Sequence, residues 1–187
     1  MVRKIKKGLA CALVAALAFT CAAPVTASAA GSATSAPEIK PIASATATVA
    51  KNVKAKVSVD KKGQVTIKEI KTNKKAKSIS VASKVKVKGK TYKVTTIGGK
   101  AFAKASKATT VTLPKTITKI NANAFSKSKI KTIKFAKGTK KVTISKKAFK
   151  GLKTKKMTIR YGNMSKANVK ALKKALKAAG FKGTIKK

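Results

Sequence analysis

The 187-residue chain has no histidine, no tryptophan, two cysteines and only three acidic residues, and each shortage removes a class of function. With Glu38, Asp60 and Glu69 as the sole carboxylates, no general acid/base pair and no Ser-His-Asp arrangement can be assembled. Ser and Lys are so abundant that a Ser-Lys pair carries no signal. Both thiols, Cys11 and Cys21, lie near the start, so neither the imidazole nor the thiolate sets that hold zinc, iron or copper are available farther on. No catalytic, cofactor or metal residue is assigned, and the chain is read as not an enzyme. Arginine is nearly missing too: beyond Arg3 there is only Arg160. Specific readers of nucleic acid rely on Arg forks and stacking aromatics, so no specific nucleic-acid partner is expected.

Long apolar runs are absent except for one. Arg3, Lys4, Lys6 and Lys7 precede the stretch from Gly8 to Ala23, which Pro24 breaks before the small-residue site Ala27-Ser28-Ala29. These 16 residues fall short of a spanning helix, which needs roughly 20, and the pattern reads as a signal peptide over 1–29. Its removal takes both cysteines, so the mature chain is expected to hold together without disulfides. Phe19 and Thr20 before Cys21 do not suit a lipidation site.

Lysine is what the chain has in excess. There are 47 basic residues, and removing 1–29 leaves 43 of them against three acids, a net charge of +40. Nothing after Glu69 is acidic. Such a field favours solubility and attraction to polyanions while opposing compaction.

Residues 30–52, rich in Ala, Ser and Thr, read as a flexible linker. From Val53 the pattern alternates. Val57 and Val59, a turn at Gly63, then Val65 and Ile67 describe one hairpin, and Val85 and Val87, Lys88-Gly89-Lys90, then Tyr92 and Val94 describe another. With a strand at Ile79 and Val81, segment 53–96 reads as an N-terminal β cap.

Next comes a repeat. Ile-x-x-x-Ala-Phe occurs at Ile97/Ala101/Phe102, Ile120/Ala124/Phe125 and Ile144/Ala148/Phe149, with the Phe residues 23 and then 24 positions apart. Each copy adds an apolar pair at period two: Val111 and Leu113, Ile133 and Phe135, Met157 and Ile159. One such coil cannot cover its own apolar edges, so the period predicts a solenoid of stacked coils over 97–161. Segment 162–187 switches to helical spacing. Ser165 is a candidate N-cap, Val169, Leu172, Leu176 and Ala179 share a face, and Gly180 ends the run before Phe181.

The run Val111-Thr112-Leu113-Pro114, Ile117-Thr118-Lys119-Ile120 and Ala124-Phe125 resembles the BspA-like leucine-rich repeat, and the lysine-rich flanks resemble those of exported clostridial members. The chain departs from the family's frequent Cys three residues after the Phe, having Ala105, Ser128 and Leu152. The resemblance implies a mainly β leucine-rich-repeat solenoid of about three coils, capped by N-terminal β-hairpins and a C-terminal helix. It also implies an exported or surface protein concerned with adhesion and protein binding.

Two short motifs mislead. Leu113-Pro114-Lys115-Thr116 opens like a cell-wall sorting signal, but Ile117 stands where Gly is required. Gly89-Lys90-Thr91 looks like part of a phosphate loop, but Lys84 stands where its first Gly belongs.

Residues between the inward pairs of each repeat strand face outward, giving Thr110, Thr112, Thr132, Lys134, Lys156, Thr158 and Arg160 as the candidate partner-binding face. The expected function is a secreted or loosely cell-surface-associated binding and adhesion module. Its expected partners are anionic cell-wall or surface polymers, with host or neighbouring-cell protein or glycan as further partners for the concave face. A second reading is a membrane-active cationic protein working through the C-terminal helix. The apolar face of that helix is largely Ala, so membrane contact is not expected.

Overall fold

The computed structural model describes residues 39–51, 53–72, 76–105 and 107–187. The signal peptide expected over 1–29 lies outside the described residues. Among the described residues the fold is mainly β with one α-helix, and the strands fall into two sheets.

The first sheet opens as an antiparallel meander of β1 (Ile42–Ala50), β2 (Val53–Val59) and β3 (Gln64–Lys71). Asp60 closes the β2–β3 turn by accepting from the backbone N–H of Lys62 at 3.0 Å and of Gln64 at 2.7 Å. Gly63 supplies a positive φ of 68° there, a conformation that favours glycine. The second sheet begins with β4 (Ser78–Ser80), and β5 (Lys84–Val87) then forms a hairpin with β6 (Lys90–Ile97). β6 also pairs in parallel with β3, and from that point the first sheet is built like the repeats.

Thereafter the chain alternates between sheets. β7 (Thr110–Leu113), β9 (Thr132–Phe135) and β11 (Thr158–Tyr161) extend the second sheet. The two-residue strands β8 (Lys119–Ile120) and β10 (Thr143–Ile144) extend the first. All these pairings are parallel, so every coil adds one strand to each sheet. The Ala-Phe turns form a third column of backbone bonds. Phe102 N–H donates to the Ala124 carbonyl at 3.1 Å, and Phe125 N–H to that of Ala148 at 3.3 Å.

Inside, Val111, Ile133 and Ile159 of one sheet meet Ile97, Ile120 and Ile144 of the other, all buried. Between them the Phe rings stack. Phe102 and Phe125 lie 5.0 Å apart at 6°, and Phe125 and Phe149 lie 5.5 Å apart at 4°. The turn into the first Phe needs Gly98, because a Cβ there would sit 2.6 Å from the Ile67 carbonyl oxygen.

Helix α1 (Lys166–Ala178) closes the last coil. Ser165 caps it by accepting from Asn168 N–H at 3.3 Å, and Leu172 and Leu176 are buried. Its end is a Schellman turn: Gly180 takes φ of 74°, Gly180 N–H bonds to the Lys177 carbonyl and Phe181 N–H to that of Leu176, each at 3.0 Å. That turn swings Phe181 over Phe149, ring centres 5.4 Å apart and tilted by 54°, so Phe181 becomes the lid of the stack.

Three sequence expectations need correction. The flexible linker read over 30–52 contains β1, whose Ala47 and Val49 are buried between outward Thr46 and Thr48. Small Ala and Thr side chains hid the alternation; the strand is held by its ladder to β2 rather than by bulk. The boundary between cap and repeats at residue 97 does not exist as a break, because β4 already lies in register with β7 in the repeat sheet. The tail after the helix is β12 (Thr184–Lys186), which pairs with β11 and completes the order β12-β11-β9-β7-β4.

Candidate partner-binding face

Side chains alternate across a strand, so the inward apolar residue of each rung fixes two outward ones. The register of the second sheet aligns these into two columns. The first is Ser78, Thr110, Thr132, Thr158 and Thr184, with a hydroxyl on every rung. The second is Ser80, Thr112, Lys134, Arg160 and Lys186, which changes from hydroxyl to cation partway along. Neighbours within a column are one strand spacing apart, about 4.8 Å.

Six of the seven candidate residues lie in these columns, with Thr110, Thr112, Thr132 and Thr158 half-buried and Lys134 and Arg160 exposed. Lys156 does not join them. It ends a short 3-10 turn, Thr154–Lys156, before β11 begins, and projects there as an exposed loop lysine. The sequence reading expected Met157 to be a strand residue and so placed Lys156 on the strand, but the Met157 N–H closes the turn onto the Thr154 carbonyl at 3.0 Å. The reading also missed Ser78, Ser80, Thr184 and Lys186. Ser78-Ile79-Ser80 and Thr184-Ile185-Lys186 have the same outward-inward-outward pattern as Thr132-Ile133-Lys134, and that pattern is the signal that identifies them.

Lys134, Arg160 and Lys186 are like charges placed side by side, an arrangement that costs stability on a sheet. Two unit charges about 5 Å apart in water repel by somewhat less than about 1 kcal/mol, and long side chains splay to reduce this. Both described acids are engaged elsewhere. Asp60 is engaged in its turn, and Glu69 lies 3.0 Å from the ammonium of Lys104. The Lys104 hydrogen bond holds the Glu69 carboxyl below the usual carboxylate range, with help from the charges of Lys104, Lys56 and Lys71 and against the opposing effect of desolvation. Among the described residues no group of His, Cys, Asp and Glu could hold a metal ion.

A groove of about 420 Å³ beside α1 is lined by Tyr161, Met164 and Val169 together with Lys166, Lys170, Lys173 and Lys187. The strongest apolar residues of the helix, Leu172 and Leu176, are turned away into the core. No helix of the described residues is long and apolar enough to cross a membrane.

The sequence profile of the BspA type leucine rich repeat region matches residues 73–182, in six copies. The chain belongs to that family. The match takes in β4 at one end and Phe181 at the other, so the BspA type array reaches beyond the segment 97–161 on both sides. No curated protein matches the chain by sequence. Among solved structures it is similar to a leucine rich cell surface protein from Faecalibacterium prausnitzii, at 22% identity and a TM-score of 0.49, covering 60% of this chain and 29% of that one. It is also similar to the pneumococcal vaccine antigen PcpA, at 23% identity and a TM-score of 0.45, covering 61% of this chain and 32% of that one. A leucine-rich repeat protein from Bacteroides ovatus matches at 20% identity and a TM-score of 0.43, covering 63% of this chain and 30% of that one. The chain thus spans less than a third of the length of each of these proteins.

Proposed function

We propose that this BspA type protein is an exported, non-enzymatic binding and adhesion module, held to anionic surfaces by its charge and offering the outer face of its repeat sheet to a partner. One observation carries the reading: the chain has no acidic side chain after Glu69, so apart from Lys104, which pairs with Glu69, the lysines of the repeat array have no acidic partner among the described residues. Their counterions must come from outside, and a polymer carrying many anionic groups releases those counterions with a favourable entropy. The absence of histidine and the structural engagement of Asp60 and Glu69 favour binding over catalysis.

Retention on cells tests this. Attachment by charge should persist at low salt and be reversed by about 1 M salt without detergent, since the screening length falls from about 10 Å at 0.1 M to about 3 Å at 1 M. Protein that stays on cells through that wash, or that never associates with them at low salt, refutes electrostatic attachment. The rival reading, membrane disruption by α1, requires dye leakage from anionic vesicles. With Leu172 and Leu176 buried, none is expected from the folded protein.

A further inference from the structure

We propose that Lys134, Arg160 and Lys186, together with the hydroxyl column beside them, form a track for a linear polyol-phosphate chain lying across the strands, along the stacking direction of the coils. The proposal deepens the electrostatic reading above and rests on it, but it assigns the contact to one side of one sheet.

Position supports it first. The three cations sit on the adjacent strands β9, β11 and β12 in strict register, and all three are exposed. Spaced about 4.8 Å apart, they span roughly 10 Å, enough to face consecutive phosphates of a flexible chain. A sheet stabilised for its own sake would interleave acids between them. None is available here, so the row is left with solution counterions that a polyanion can displace.

The chemistry of the side chains narrows that ligand. Arg160, the one arginine among the described residues, occupies the middle of the row. A guanidinium presents a planar fork that engages phosphate oxygens in pairs, whereas ammonium groups on either side act as point charges. Two residues earlier on the same strands, about 7 Å away, run Thr132, Thr158 and Thr184. Their hydroxyls both donate and accept, which suits the free hydroxyls of a polyol between phosphates. The face carries no aromatic platform. Phe135 is buried on the inward side, and Tyr161 lies opposite it in register. Sugar rings and nucleobases would therefore find nothing to stack on, and an open-chain backbone is favoured over both.

The experiment compares two triple variants of equal charge for binding a poly(glycerol phosphate) fragment in 0.1 M sodium chloride. Lys134→Thr with Arg160→Thr and Lys186→Thr empties the track, while Lys119→Thr with Lys141→Thr and Lys146→Thr removes the same charge on and beside the other sheet. Loss of about 30-fold or more is expected for the first and less than about threefold for the second, because close contacts release counterions and distant charges only add to the field. All six positions are exposed, so both variants are expected to fold. Arg160→Lys keeps the charge and nearly all of the stem, and should still weaken binding several-fold through loss of the fork. Equal losses in the two triples overturn the track while leaving general electrostatic attachment standing. Absence of binding by the unaltered protein at low salt overturns both. Loss of heparin binding with poly(glycerol phosphate) binding retained overturns the choice of polymer.

Discussion

Replacing Phe125 by Ala is the most direct test of how the coils are held. The ring is fully buried and lies between two others, 5.0 Å from Phe102 and 5.5 Å from Phe149, both nearly parallel to it. Burial of a Phe side chain contributes about 1.5 to 3 kcal/mol, and each aromatic pair adds about 0.5 to 1.5 kcal/mol. Those terms agree with the usual cost of about 3 to 5 kcal/mol for truncating a core Phe. The hole would not close easily, because Ala124 and Phe125 are tied by backbone bonds to the coils on either side. Phe181 provides the internal control: it has one ring neighbour, tilted by 54°, and some exposure at 7%. With one ring pair instead of two and less complete burial, Phe181→Ala should cost about 2 to 4 kcal/mol, less than the central change. Urea titration at constant salt measures both, read from the midpoint with the slope unchanged. A loss below about 1 kcal/mol at Phe125, or a larger loss at Phe181 than at Phe125, would refute the stacked-coil account.

Three further outcomes follow from the same structure. Gly183→Ala should detach β12, because a Cβ there collides with the carbonyl oxygens of Met157 and Thr154; amide exchange should become fast at Thr184–Lys186, and retained protection there would show the approach to be looser than described. Raising sodium chloride from 10 mM to 0.5 M should increase the melting temperature by at least about 5 °C, since self-repulsion is screened and few attractive pairs are lost; a flat or falling curve would mean that repulsion is already relieved within the fold. Glu69→Gln should be less stable than the parent at pH 7, with the gap closing on acidification. The folded pKa is lowered, so the carboxylate's contribution is complete above the unfolded value of about 4.3 and is lost as pH falls through the lower folded value. A gap unchanged at pH 2 would show that Glu69 acts through packing and not through its charge.

The repeat was legible because three copies state the same pattern. Ile97, Ile120 and Ile144 and the three Phe residues recur at intervals of 23 and then 24 positions, and a period of that length has few structural solutions. What escaped was written once. β1 buries only Ala47 and Val49 over nine residues, so its strand character resides in backbone pairing with β2 and not in side-chain bulk. β12 is three residues long and has no meaning except beside β11, whose position depends on all earlier coils. Lys156 was misplaced because period two cannot reveal where a strand yields to a 3-10 turn, a choice made here by the Met157 N–H.

Fold and charge are separable in this molecule, and their separation explains why so basic a chain can have a defined structure. The inward set of each coil is Ile, Val, Ala, Leu and Phe, closed by backbone ladders that require no side chain at all. Lysine takes outward strand and loop positions, where its cost is set by distance and salt rather than by desolvation. Drift among Lys, Thr and Ser on the outer face therefore leaves the coil unaltered, and the change along the second column from Ser80 and Thr112 to Lys134, Arg160 and Lys186 is a change in surface alone. Because stacking carries the register from rung to rung, any charge placed at those positions is aligned to its neighbours within one strand spacing. An aligned row of cations is thus available to a chain with long, many-jointed lysine side chains, and the alignment comes from the backbone ladders over the buried Phe stack rather than from the charged residues themselves.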